Sequence, residues 1–185
     1  MKKIFIVAFM AFFAACNNSG DTKVDSMKSG DTTATTMRDI NSPYPVGYSS
    51  KFEIADPKYA ETILTLWKDW DNGNLSAHKG MFADSVTMHF WDGSVDHSSL
   101  DSAMAHTQAY RNTLARSVGS VDAVMSVKST DKKENWALVW GKEVDTDKKG
   151  KVDSFYLQET WGFDSAGKVN RLYQFRAAAA PPKSK

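Results

Sequence analysis

Disulfides, an excess of one charge and any apolar run long enough to span a membrane are all missing from this chain. It has a single cysteine among 185 residues, so nothing is left to cross-link the fold and its stability must come from a packed core. Lysine and arginine number 23 against 22 acids, a net charge of +1. The basic residues are interspersed with acids, as at Lys148-Lys149 between Asp147 and Asp153. A nucleic-acid partner, which needs clustered cations, is therefore not expected. No phosphate loop, nucleophile elbow or dinucleotide fingerprint occurs, which argues against nucleotide-driven chemistry. His89, His97 and His106 show no ligand spacing such as His-x-x-x-His, so neither a metal nor any other cofactor is expected.

What is present begins with MKKIFIVAFMAFFAAC. Lys2 and Lys3 make a positive start, and Ile4 to Phe13 is an apolar run too short for a spanning helix. Small residues then precede the cysteine. Phe13-Ala14-Ala15-Cys16 resembles the bacterial lipobox, which implies a lipoprotein signal over residues 1–15 and lipidation of Cys16. Loss of Lys2 and Lys3 would take the net charge of +1 to about −1. Asn17 stands where an aspartate would resemble an inner-membrane retention signal, so the analogy implies outer-membrane attachment, with the domain in the periplasm or at the cell surface. Residues 16–51 combine the lipidated cysteine with a polar stretch that buries too little to order itself, a flexible tether stiffened by Pro43 and Pro45. Alternatively, Tyr44, Tyr48 and Phe52 dock as an arm on the domain. Residues 177–185 are expected as a frayed tail.

The folded part opens at Asp56-Pro57, an N-cap acid before a first-turn proline, and Ala60, Ile63, Leu64, Trp67 and Trp70 keep helical spacing until Asn72-Gly73. A second short helix carries Leu75, His78, Met81 and Phe82. Val86, Met88 and Phe90 then alternate along a strand that stops at Asp92-Gly93. A third helix starts at Ser98-x-x-Asp101, with Leu100, Ala103, Met104, Thr107, Arg111 and Leu114 on its buried stripe. The period next becomes two, through Val121, Ala123, Met125 and Val127 and through Trp136, Leu138 and Trp140. Phe155, Leu157, Glu159, Trp161 and Phe163 share one face of the following strand, and Val169 to Phe175 forms the last. Helices followed by hairpin-linked strands predict an α+β fold, with helices on one face of a mostly antiparallel sheet.

Over residues 53–176 the phrases ILTLWKDWDNGN, MFADSVTMHFWDG and ETWGFDSAGKVNRLYQF resemble, in order and spacing, the nuclear transport factor 2-like superfamily and in particular its SnoaL-like members. The resemblance implies a domain over residues 52–176 in which a cone-shaped, curved sheet wraps around a long N-terminal helix, with two further helices and a deep pocket. It also implies a homodimer through the outer sheet face, compatible with Tyr156, Gln158 and Thr160 on that side. Many SnoaL-like cyclases carry a His and an Asp two apart on the last strand. Leu172 and Gln174 occupy those positions here, so a familiar acid-base pair is absent. Fold alone does not fix the chemistry.

The tryptophans at 67, 70, 91, 136, 140 and 161 all lie in this domain. They read either as core rings or as the lining of a cavity for a flat, greasy ligand. Glu159 interrupts an apolar strand face, so its carboxyl should be desolvated and its pKa raised. Either an ion pair with Arg111 or Arg171 satisfies it, or it is a general acid/base. The expected ligand-binding set is Trp70, Met88, Phe90, Asp92, Met104, Arg111, Trp136, Trp140, Glu159, Trp161 and Tyr173. Asp92 is equally explained as a turn residue and Tyr173 as a core tyrosine. Two functions follow. The first is a membrane-tethered domain that binds a small apolar or aromatic molecule, or a partner protein, without catalysis. The second is a cofactor-independent isomerase, dehydratase or hydrolase in which Glu159 works with Arg111, Tyr173 or His89.

Overall fold

A computed structural model describes residues 40–179. The signal segment, Cys16, most of the tether and residues 180–185 lie outside the described residues. Among those described, no helix is long and apolar enough to cross a membrane.

Helix α1, Lys58–Asn72, starts where Asp56 Oδ1 accepts the Lys58 amide at 3.0 Å and ends at Gly73 in the left-handed region (φ 72°), as the Asn-Gly stop requires. The expected second helix is only a 3₁₀ turn, Lys79–Met81. Helix α2, Leu100–Arg111, is capped by Ser99, whose hydroxyl accepts the Ser102 amide, one residue later than the Ser98-based reading. Seven strands complete the domain: β1 Phe52–Ile54, β2 Phe82–His89, β3 Val95–Ser99, β4 Leu114–Ser129, β5 Asn135–Asp147, β6 Val152–Phe163 and β7 Val169–Ala178. They form one curved, unclosed sheet in the order β1-β4-β5-β6-β7-β2-β3. Every pairing is antiparallel except β2 with β7. Register shifts in β4 at Leu114/Arg116 and Val121/Ala123 supply the bulges that bend such a sheet.

The core lies between α1, α2 and the concave face, where Ile63, Val86, Ala103, Ala137, Val139 and Val169 are essentially inaccessible. Close approach of α1 depends on small residues in the strands beneath it. A Cβ on Gly141 would overlap the Ser120 carbonyl oxygen and sit 3.0 Å from the Trp67 ring, so only glycine lets that indole lie on the sheet.

The faces of β4 and β5 are the reverse of the sequence expectation. In β5, Ala137 and Val139 face the core, and Gly141, Glu143 and Asp145 continue the same side, whereas Trp136, Leu138 and Trp140 face outward. In β4 the core side carries Ser117, Gly119, Val124 and Ser126, leaving Ala123, Met125 and Val127 outside. Apolar residues occur on both faces of these strands, and the larger ones lie on the outer face. Tyr48 and Phe52 lie against that outer face. The Tyr48 ring meets Trp136 edge-on at 5.7 Å, its hydroxyl accepts Trp136 Nε1–H at 3.1 Å, and it donates to Glu134 Oε2 at 2.8 Å. Tyr44 is exposed.

Candidate functional site

Between α1, α2 and the concave sheet lies a cavity of about 380 Å³. Helix α1 contributes Leu66, Trp67 and Trp70, α2 contributes Met104, Thr107 and Tyr110, and the strands contribute Met88, Phe90, Leu157 and Trp161. Such a mostly apolar, ring-lined hollow with few polar groups is the usual form of a small-molecule site.

Glu159 is the polar centre of the floor and is 4% exposed. Its Oε2 accepts Trp67 Nε1–H at 2.7 Å and Trp161 Nε1–H at 2.9 Å, and its Oε1 accepts Gln174 Nε2–H at 2.8 Å. All the donors are neutral. Burial raises the Glu159 pKa, and these hydrogen bonds to the ionised form pull against that rise. The carboxyl is thus anchored by α1, β6 and β7 together.

Neither arginine expected beside Glu159 is there. Arg111 turns its guanidinium onto main-chain carbonyls, donating Nε–H to Trp70 at 2.7 Å and Nη2–H to Asp71 at 2.9 Å, and so ties the end of α2 to the end of α1. Arg171 points to the outer face, where it lies 5.4 Å from the Trp136 ring centroid and 4.0 Å from Glu134.

Three more expected site residues face away from the cavity. Trp136, Trp140 and Tyr173 belong to the outer face, because β5 and β7 present alternate residues to the two sides. Trp136 and Tyr173 line a shallower outer depression together with Tyr48 and Phe52. His89 stacks on Tyr173 at 4.5 Å on that side, so neither can assist Glu159. His97, on the edge strand β3, bonds to Thr87 of β2. By contrast Trp70, Met88, Phe90, Asp92, Met104, Glu159 and Trp161 do line the cavity. Asp92 does so at the exposed end, where its Oδ1 is spent on the Ser94 amide and hydroxyl; those bonds lower its pKa. At the same end Arg176 lies over Phe155 and Trp91 and reaches Asp153 at 3.2 Å.

The structure adds acids absent from the expected site. Glu143 lines the cavity, and Asp145 follows it on the same face of β5. Burial pushes the Glu143 pKa up to about 9, reinforced by the charge of Asp145, a hydrogen bond with it, and the charge of Glu159. Asp145 is itself buried, and its Oδ1 has no hydrogen-bond partner. On α1, buried Asp69 receives His78 Nδ1 at 2.9 Å, and Asp71 Oδ1 accepts the Gly119 amide at 2.9 Å. The signal for Glu143 was the alternation Ala137-Val139-Gly141-Glu143, hidden by the tryptophans of the opposite parity. Among the described residues no group of three His, Cys, Asp or Glu side chains is placed to hold a metal ion.

A curved sheet closing on a long helix around a pocket is the fold of nuclear transport factor 2-like proteins, and solved structures of that class match this chain. A nuclear transport factor 2-like protein of unknown function from Exiguobacterium sp. 255-15 matches with a TM-score of 0.52 at 12% identity, over 63% of this chain and 98% of that one. AusH from Aspergillus nidulans matches with a TM-score of 0.54 at 12% identity, over 70% and 90%. AclR, a putative hydroxylase from Streptomyces galilaeus, matches with a TM-score of 0.52 at 14% identity, over 66% and 91%. These identities carry the fold alone. No family model and no curated protein matches the sequence.

Proposed function

We propose that the cone is a binding domain for a small apolar or aromatic molecule, held in the cavity between α1 and the concave sheet. The observation that carries this reading is the indole-lined hollow of about 380 Å³, whose central carboxylate is immobilised by Trp67, Trp161 and Gln174. An acid so fixed orients a ligand and shapes the floor, whereas a general base needs an oxygen free to take a proton. The lipobox-like Phe13-Ala14-Ala15-Cys16 supports a lipid anchor, and Asn17 after it supports outer-membrane attachment, with the domain in the periplasm or at the surface. The exposed Tyr156 and Phe175 on the outer face support a homodimer through that side. Native mass spectrometry of the chain from its own host tests both ideas. A retained small molecule on a dimer is the expected spectrum, and a bare chain that binds no apolar compound overturns the ligand reading. Replacing Cys16→Ser should abolish alkyne-palmitate labelling and release the protein from membranes.

A second reading, a cofactor-independent isomerase, dehydratase or hydrolase, draws support from the raised pKa of Glu159 within a mostly apolar cavity. The likeness to AclR, a putative hydroxylase, adds an enzymatic precedent on this fold. Its test is chemical change of the retained molecule by the wild-type chain and not by Glu159→Gln.

A further inference from the structure

We infer that the cavity is built for an organic monocation, a protonated amine or quaternary ammonium on an aromatic or apolar body; this rests on the small-molecule reading above. Glu143 and Glu159 line the cavity, Asp145 follows Glu143 on the same face of β5, and the charges of Asp145 and Glu159 both act on Glu143. The groups acting on Glu143 are Asp145 on its own strand, Glu159 on β6 and the Trp70 indole on α1, and those acting on Glu159 are Gln174, Trp67 and Trp161. None is a cation.

The cations of the surrounding elements each have another partner, including His106 and Arg176, which line the cavity. Arg111 of α2 serves the carbonyls of Trp70 and Asp71. His78 faces Asp69, Lys68 faces Asp71 at 3.4 Å, and His106 faces Asp96 at 3.0 Å. Arg176 of β7 lies over Phe155 with Asp153.

Buried carboxyls without a countercharge are expensive, and the protein's remedy is to hold a proton on Glu143 while one oxygen of Asp145 goes without a partner. A ligand cation supplies the missing charge. It also gains from the rings of Trp67, Trp70 and Trp161, whose faces attract positive charge. A neutral ligand could accept one hydrogen bond from protonated Glu143 but leaves the floor uncompensated. An anion on the same floor is opposed by the charges of Asp145 and Glu159. Entry of a cation lowers the proton affinity of Glu143, so binding at slightly alkaline pH should release its proton to solvent.

Matched indoles test this by calorimetric titration of the full chain with tryptamine (cation), tryptophol (neutral) and indole-3-acetate (anion). The expected result is tryptamine bound at least about tenfold more tightly than tryptophol, with indole-3-acetate weakest. At pH about 7.5, enthalpies in Tris and phosphate should differ by the release of up to about one proton per tryptamine. Glu143→Gln, isosteric with the protonated acid, should bring tryptamine and tryptophol within about twofold and abolish the proton release. Tryptophol or indole-3-acetate binding as well as tryptamine overturns the cation assignment and leaves the pocket reading standing. Failure of all three to bind overturns both. Should Glu143→Gln not fold, the ranking and proton count of the wild-type chain decide alone.

Discussion

The same strands present two unlike faces. Facing α1, β5 runs Ala137, Val139, Gly141, Glu143, Asp145, from small apolar residues to buried acids; facing outward it runs Trp136, Leu138, Trp140. The helix needs small partners to approach the sheet, so large rings are excluded from the floor and instead cover the back. Along β6 the bias is reversed, with Phe155, Leu157 and Trp161 inside and Tyr156, Gln158 and Thr160 outside. A cone is thus lined asymmetrically, small where α1 touches and large where the cavity opens. Polar groups on the inner face should be tightly coupled to stability, while those on the outer face should be replaceable.

The largest test of that contrast is Glu159→Ala. It strands the buried donor of Trp161 and the half-buried donors of Trp67 and Gln174, a fully buried unsatisfied group being worth about 1–3 kcal/mol. Urea unfolding should show a loss of about 3 kcal/mol or more, against roughly 0.5 kcal/mol for Thr160→Ala on the other face. Equal losses would remove the distinction between the faces. Next in size is Gly141→Ala, where the new Cβ meets the Ser120 carbonyl and the Trp67 ring. Overpacking of this kind costs about 1–3 kcal/mol, and a changed near-ultraviolet circular dichroism should report that Trp67 has moved off Glu159.

The pH dependence sharpens the contrast further. Glu143 ionises with a pKa raised from 4.5 to about 9 in the folded chain. Between those values the native state holds a proton that the unfolded state has lost. Stability should therefore fall as pH rises through that window, with a slope of up to about 1.4 kcal/mol per pH unit, and level off above the folded pKa. Glu159, also raised, acts in the same direction. Glu143→Gln cannot titrate, so it should flatten the slope and be the more stable chain at pH 8, as measured by thermal melts from pH 5 to 9. A wild-type chain equally stable across that range would mean that Glu143 is solvated and the floor open to water.

How far these features could be read from residues alone depends on whether their cause is local. Helix α1 was legible at both ends, because Asp56-Pro57 and Asn72-Gly73 act through their own backbone. Glu159 stood out because an acid among apolar residues of one parity has to be buried. Its distant partners did not, since Trp67 arrives from α1, 92 residues away, and Gln174 from β7, whereas Trp161 stands two residues further along the same strand. Alternation in β4 and β5 announced two faces without saying which is inside. Size and hydrophobicity favoured the tryptophans, and only the approach of Trp67 to Gly119 and Gly141 decides for the small residues. Glu143 and Asp145 disappeared from view with that choice.

The smallest expected effect on folding belongs to the outer face. Phe175 is 57% exposed and Tyr156 53% exposed, with Lys142 6.0 Å from the Tyr156 ring centroid. Phe175→Glu places a charge where water already reaches, so unfolding should shift by no more than about 0.5 kcal/mol. If two copies meet through this face, the same charge is duplicated by symmetry across the contact and opposes itself. Sedimentation equilibrium should then show the wild-type chain as a dimer and Phe175→Glu as a monomer, with tryptamine affinity unchanged because the cavity lies on the other side of the sheet. A variant that stays dimeric places the contact elsewhere. One that also loses ligand binding would show that the two faces are coupled through the strands, contrary to the independence claimed for them.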